Sequence, residues 1–322
     1  MTDNKIILKK NINCEFKIIG TKEQNEWNRD PDCIFNINTG FNADFSECLM
    51  LNEICNTYFG IQAFDRKSSI SETKENKLYL EIIDGCNIFP YSYSIPTKYF
   101  NFIESNIKSG GDWNVYKQER IVVRQIGQIP IVGMCKKDIL ASNTLYSIYP
   151  KNEDYDLKYI LCLLNSSVIK KYWASKYSDN KLLFPKIKGF QLRELPIKEI
   201  SISDQQPFIA LANKMLSLNS DLQTKRQRFL KRLSDNFAGI KITGKIEIFD
   251  ELDFSQFVTE LAKQKITLSL KQQDEWEEYF NEYKTECRNF VSQIDATDKE
   301  IDGMVYGLYG LTGEEIKVIE NN

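Results

Sequence analysis

The feature that most constrains the fold is a change of hydrophobic period at Pro150. From Leu78 to about Pro150 the apolar residues fall in short runs, LYLEII, ERIVVRQ, IPIVGM and NTLYSIYP, rich in β-branched and aromatic side chains and separated by Gly or Pro. Such runs read as strands. They predict one small, curved, mostly antiparallel sheet, with a hairpin at the Gly127–Pro130 break. After Pro150, Leu157, Ile160, Leu161, Leu164, Val168 and Tyr172 follow at spacings of three and four, which places them on one face of a helix. Asp154 or Asp156 can cap it. In LLFPKIKGFQLRELPI, Pro185, Gly189 and Pro196 forbid a long helix. The polar stretch Asp65 to Lys77 reads as a surface loop.

A second long helix is expected from Gln205. Phe208, Leu211, Met215, Leu218 and Leu222 lie at heptad spacing, and after the basic run KRQRFLKR the seam resumes at Phe229 and Leu233. GIKITGKIEIFDE then alternates like a hairpin. From about Lys271, Trp276, Phe280, Tyr283, Cys287, Phe290 and Ile294 keep strict heptad spacing. The two seams predict an antiparallel helix pair; the alternative is that each stripe packs on its own local domain. The fold class expected is therefore α+β, with the domains 1–50 (an extension or the remnant of a preceding domain), 51–204 (the β-rich domain) and 205–322 (helical, with a β-hairpin insertion).

Composition narrows the chemistry. The 322 residues include no histidine, which removes Ser-His-Asp and Cys-His catalysis, histidine-metal nucleases and HExxH hydrolysis from what this chain can do. The eight cysteines, at 14, 33, 48, 55, 86, 135, 162 and 287, form no CxxC pair, so neither a zinc site nor a disulfide framework is suggested, and they are expected to be reduced and mostly buried. The start, MTDNKIILKK, lacks the apolar core of a signal peptide, and no apolar run is long enough for a bilayer, so a cytoplasmic location is expected. A glycine-rich turn after a strand and an NPPY-like tetrapeptide are both absent, leaving no visible seat for a methyl-donor cofactor or for amine activation. A magnesium nuclease would have to draw on Pro31-Asp32, Glu53 and Asp65-Arg66-Lys67, triplets that arise by chance in a chain that is 27% charged. No catalytic or metal-ligating residue is assigned.

The net charge of −3 conceals a strong asymmetry: residues 108–233 hold 22 basic and 11 acidic side chains, while the two flanks hold 20 and 34. A basic middle is either a solvated face or the footprint of a polyanion. Arg124 and Gln125, at the end of IVVRQ, have the forked guanidinium and amide that suit guanine and adenine edges, although a structural ion pair would serve Arg124 as well. Lys136 and Lys137 follow the next strand. Lys176, Lys181, Lys186, Lys188 and Arg193 gather around FPKIKGFQLRELPI and suit phosphates, which set position without carrying sequence information. Gln62, Arg66 and Lys67 complete the candidate set.

The ordered series ERIVVRQIGQIP, NTLYSIYP, LKYILCLLNSSVIKKYWASKY, LFPKIKGFQLRELPI and QQPFIALANKMLSLN resembles the TaqI-like C-terminal specificity domain of adenine-specific DNA methyltransferases and fused type II restriction enzymes. LNEICNTYFGIQAFDRK is similar to that family's opening strand and glycine turn, and KEIDGMVYGLYGLTGEEIKVIE to its C-terminal end, so the likeness runs over roughly residues 50 to 320. It places Gly60, Ile61 and Gln62 on the glycine turn, where the glycine supplies a positive φ, and Phe184, Pro185, Lys186, Ile187 and Lys188 on the FPKI-like loop. LRELPIKEISISDQQPFIALANKML is also similar, more weakly, to the lead-in to the helix of type I specificity subunits.

The resemblance implies a protein in two halves: one that binds S-adenosylmethionine and methylates a flipped adenine, and one that recognises the site. Only the second is present, so the chain is expected to be a fragment or a stand-alone subunit, without its own cofactor, that binds double-stranded DNA and an adenine methyltransferase. The competing expectations are a type I-like specificity subunit, a helical interaction scaffold whose basic middle never meets DNA, and a nuclease.

Overall fold

The computed structural model describes residues 5–12, 15–23, 43–177 and 185–321. The chain divides into two compact units, Met1–Ile209 with Ile301–Asn322, and Ala210–Glu300.

The first unit is built on strands β1 (Cys55–Phe59), β2 (Ile70–Ser71), β3 (Tyr79–Ile83), β4 (Lys98–Asn101), β5 (Arg120–Arg124), β6 (Val132–Cys135), β7 (Leu140–Ala141) and β8 (Leu145–Pro150). They form two four-stranded sheets rather than the single sheet expected. One has the order β6-β5-β8-β1 and is antiparallel throughout; the other has the order β7-β3-β4-β2, with β7 and β3 parallel. LYLEII therefore leaves the sheet of the other three runs, because its two partners are the short strands β4 and β7. The expected hairpin is formed by β5 and β6, with Arg120 opposite Cys135 and Val123 opposite Val132. Both sheets feed one core, in which Ile82, Ile83 and Phe100 meet Val122, Leu140 and Leu145. Elsewhere in this unit Lys5–Ile12 pairs with Glu15–Glu23, and Cys48–Met50 with Pro196–Lys198.

Helix α1 (Leu157–Asn165) starts where Asp156 caps it, the carboxylate accepting from the Lys158 N–H at 2.7 Å. Tyr159 to Asn165 are all buried, as befits a helix that is apolar all round and packs on β5 and β6. The apolar spacing continues past Ser166, but the helix does not: Ser166 is extended (φ −65°, ψ 153°), and α2 (Ser167–Tyr177) starts afresh with the Ser167 N–H bonded to Asp302 at 2.7 Å. A short helix, α3 (Gly189–Arg193), follows. Helix α4 (Ile202–Asn236) begins three residues before the expected Gln205. Gln205 itself is buried and fully engaged, accepting from the Asp156 N–H at 2.9 Å and donating to the Asp154 carbonyl at 2.9 Å.

Within Ala210–Glu300 the heptad seams meet as expected. Besides the later part of α4, this unit holds α5 (Phe254–Ala262) and most of α6 (Leu270–Leu308). Phe237 packs on Trp276 and Phe229 on Tyr279, Phe280 and Tyr283, while Lys225 pairs with Glu286; the reversed order of partners shows the two helices to be antiparallel. GIKITGKIEIFDE is not a hairpin. Thr243 caps a one-turn helix, Gly244–Glu247, followed by the 3₁₀ turn Phe249–Glu251, and this puts Ile246 and Phe249 into the core around Phe229. Each buried aromatic there contributes roughly 1.5–3 kcal/mol by leaving water. Among the described residues of this unit the one charged group fully inside, Asp250, is held by Arg226 through two hydrogen bonds of 2.7 and 2.9 Å.

Among the described residues no helix is long and apolar enough to cross a membrane.

Candidate nucleic-acid interface

Arg124, Gln125, Lys186, Lys188 and Arg193 come together at one corner of the first sheet. Strand β5 ends at Arg124, whose N–H closes the turn onto the Ile131 carbonyl at 3.0 Å, and the Gln125 N–H bonds the Thr144 carbonyl of the adjoining strand at 2.9 Å. The Pro185–Lys188 segment then lies along that turn as a short extra strand. Ile187 N–H donates to the Gln125 carbonyl at 2.8 Å, Gly127 N–H to the Pro185 carbonyl at 3.1 Å, and Ile126 and Lys186 form an antiparallel bridge. Ile187 is buried, so the alternation of extended chain turns Lys186 and Lys188 outward, and both are exposed. The Lys188 N–H is bonded by Gln191 Oε1 at 2.8 Å at the start of α3, and Arg193 is exposed on that helix. Trp173 Nε1 donates to the Gln128 carbonyl at 2.9 Å and anchors the turn from below.

Lys176 has a different setting. Its ammonium lies 3.5 Å from Glu194 and over the rings of Tyr172 and Tyr177. Against the desolvation of partial burial, Tyr172 and Glu194 together hold its pKa above the ordinary lysine value. It braces α2 against the end of α3 while remaining cationic.

Arg66 adjoins the corner but is spoken for. Its Nη2 bonds both oxygens of Asp84 at 2.7 Å, and the next residue, Gly85, sits against the Arg124 side chain, whose Cγ would be 3.3 Å from a Cβ there. Lys67 is exposed nearby, its N–H taken by Asp65. Gln62 is half-buried in a two-residue strand paired with Ile107–Ser109. The glycine turn before it works by close approach and not through a positive φ: a Cβ on Gly60 would stand 2.1 Å from the Ser142 carbonyl oxygen. Lys136 and Lys137, also exposed, lie just beyond the opposite end of the β5–β6 hairpin, five and six residues along from the level of Arg124 and so roughly 17 Å or more away along the strand. Lys181 and Phe184 are outside the described residues, as is Pro31-Asp32.

Two residues missing from the candidate set stand out at this corner. Ile129, at the turn, and Phe190, on α3, are exposed apolar side chains among the cations. The signal for Phe190 was its position off the buried sequence Ile187, Leu192, Leu195 in the same stretch.

The acids once considered for metal binding have structural work. Glu53 accepts from the Met50 N–H at 2.6 Å, and Asp65 caps the turn that carries Arg66 and Lys67. Among the described residues no three His, Cys, Asp or Glu side chains are grouped to hold a metal ion. The six described cysteines are free thiols; burial pushes Cys55 up to about 12 and Cys135 up to about 11, which leaves them unionised and inert. A cavity of about 370 Å³ opens at the far end of the first sheet, where Glu119, Glu153 and Asp156 give it an acidic lining. What the described geometry offers is a corner of hydrogen-bond donors and cations at one end of the first sheet, while the other end mixes Glu119, Glu153 and Asp156 with Lys136, Lys137 and Lys158.

No curated protein sequence matches the chain. Among solved structures, the HsdS subunit from Thermoanaerobacter tengcongensis is 11% identical over 66% of this chain and 45% of that one, with a TM-score of 0.38. The type I restriction-modification S subunit from M. genitalium is 15% identical over 72% and 50%, with a TM-score of 0.39. The type IIL restriction-modification enzyme MmeI, solved in complex with DNA, is 11% identical over 89% and 36%, with a TM-score of 0.48. The chain thus spans half or less of the length of these proteins. Residues 201–305 match a domain family of unknown function, DUF8810. Residues 80–197, the segment that holds the Arg124–Gln125 corner and the Lys186–Lys188 loop, match the TaqI-like C-terminal specificity domain, the family to which the sequence resemblance pointed.

Proposed function

We propose that the chain is the sequence-specific DNA recognition module of a restriction-modification system and directs an adenine-specific DNA methyltransferase to its site. The observation that carries this reading is the Arg124–Gln125 pair, held by main-chain hydrogen bonds against the lysine-bearing Pro185–Lys188 strand inside the segment that matches a specificity domain. Lys186, Lys188 and Arg193 supply phosphate contacts that set register; Arg124 and Gln125 supply donors and an acceptor for base edges. Lys176 supports the loop from behind. Arg66 contributes a partly neutralised charge, and Lys136 and Lys137 lie outside the main footprint. S-adenosylmethionine and the chemistry of methyl transfer belong, in this reading, to the catalytic partner, and the module works where the chromosome is, in the cytoplasm.

The test is selection of duplexes from a randomised library by the purified chain, followed by affinity measurements on single-base variants of the enriched sequence at several salt concentrations. Enrichment of a defined sequence with a steep salt dependence is expected. Retention of no duplex, or of all duplexes alike, would overturn the reading and favour a protein-interaction role.

A further inference from the structure

We propose that Phe190 is a base-contacting residue that reads the C5-methyl group of thymine at the DNA site; the inference rests on the recognition role above and deepens it. The apolar neighbours of Phe190 are put away by folding: Ile187 is 1% exposed, Leu192 1% and Leu195 0%, whereas Phe190 is left 46% exposed. What surrounds it is charge. Lys186 and Lys188 point outward from the strand leading into α3, Arg193 follows three residues later on the same helical face, and the Lys188 ammonium is 5.7 Å from the ring centre. Ile129 offers a second apolar side chain on the turn that is bridged to Lys186.

An apolar group ringed by cations is complementary to a partner that carries anions on its rims and an apolar group between them. Duplex DNA is such a partner. Its phosphates line the groove edges, and the thymine methyl is the one apolar group on the major-groove face of the base pairs. Lys186, Lys188 and Arg193 on phosphates would thus direct Phe190 to the groove floor, where it discriminates thymine from cytosine and from uracil.

The test uses the duplex pool that the full-length wild-type chain selects from a randomised library, amplified once with thymidine and once with deoxyuridine triphosphate, so that the two pools differ only in the methyl groups. Burial of one methyl predicts that wild type binds the thymine pool about fourfold more tightly than the uracil pool. Phe190→Ala is expected to bind both pools at the uracil level with an unchanged salt slope, and Phe190→Leu to keep part of the preference. Equal binding of the two pools by wild type overturns the proposal. So does a Phe190→Ala variant that keeps the thymine preference, or one that loses affinity for both pools together with part of the salt slope, which would assign Phe190 to the support of Lys188. If wild type selects no duplex at all, it is the recognition role that fails, and this assignment with it; an error confined to Phe190 leaves the selection intact.

Discussion

Arg120 and Arg124 stand four residues apart on one strand, on the same face of it, and the molecule uses them in opposite ways. Arg120 is fully buried: it donates to Ser147 Oγ at 3.1 Å and to the carbonyls of Lys136 and Ile139, with its guanidinium 5.0 Å from the Tyr116 ring. These partners are neutral oxygens and a ring face rather than a carboxylate. Arg124 is half-exposed at a corner where the chain opens outward. The side chain is the same, and the difference lies in what closes over it. At one end the carbonyls of Lys136 and Ile139, after β6, close onto the Arg120 guanidinium; at the other the turn before β6 is bonded along its length to the strand that carries Lys186. One end of β5 stabilises the fold, and the other, in the proposed role, meets the DNA.

This contrast can be broken most directly at the buried end. Arg120→Ala should lower stability by about 3 kcal/mol or more in denaturant unfolding, since it opens a cavity and takes the donor away from the Ile139 carbonyl and Ser147 Oγ. A loss below about 0.5 kcal/mol would erase the distinction. Arg124→Ala should do the reverse, leaving stability within about 0.5 kcal/mol while discrimination at one base pair falls by roughly 1–3 kcal/mol across a set of single-base variants. Unchanged discrimination would reduce Arg124 to a surface ion. The lysines sharpen the comparison. Lys186→Ala and Lys188→Ala should each flatten the salt slope by about one unit, equally for all sequences, whereas Lys136→Ala and Lys137→Ala, at the far end, should leave it unchanged. If both pairs flatten it alike, the footprint extends along the whole sheet. The smallest effect is expected from Arg66→Ala, less than about one unit of slope, because Asp84 already neutralises that guanidinium.

The same contrast explains how far the sequence could be read. A count of basic residues between 108 and 233 includes Arg120 and Arg226, both engaged inside the protein, and no local pattern announces that. Features written in adjacent residues were legible: the Asp156 cap, the β5–β6 hairpin, and the paired seams of Phe229 and Leu233 with Trp276, Phe280, Tyr283 and Cys287. Features decided by distant partners were not. The apolar period runs through Ser166 although the helix breaks there, because Asp302, far along the chain, bonds the Ser167 N–H and hydroxyl. GIKITGKIEIFDE alternates like a strand, yet Ile246 and Phe249 gain more by joining the aromatic core around Phe229 than by pairing with one another. LYLEII is a strand, as its residues suggest, but its sheet was set by segments 70–71, 98–101 and 140–141, none with a signal of its own. At the candidate site, the residue types at Arg124, Lys186 and Lys188 could be picked out, while their meeting at one corner depended on a bridge between positions sixty residues apart.

That bridge is made of backbone. Ile187 to Gln125, Gly127 to Pro185 and Ile126 opposite Lys186 are all contacts between peptide groups, indifferent to the identity of most side chains along them. Residues facing outward on either segment can therefore be exchanged while the scaffold beneath keeps its shape. If the corner reads DNA as proposed, new target sequences become reachable by rewriting a few surface letters, with no need to redesign the architecture that presents them.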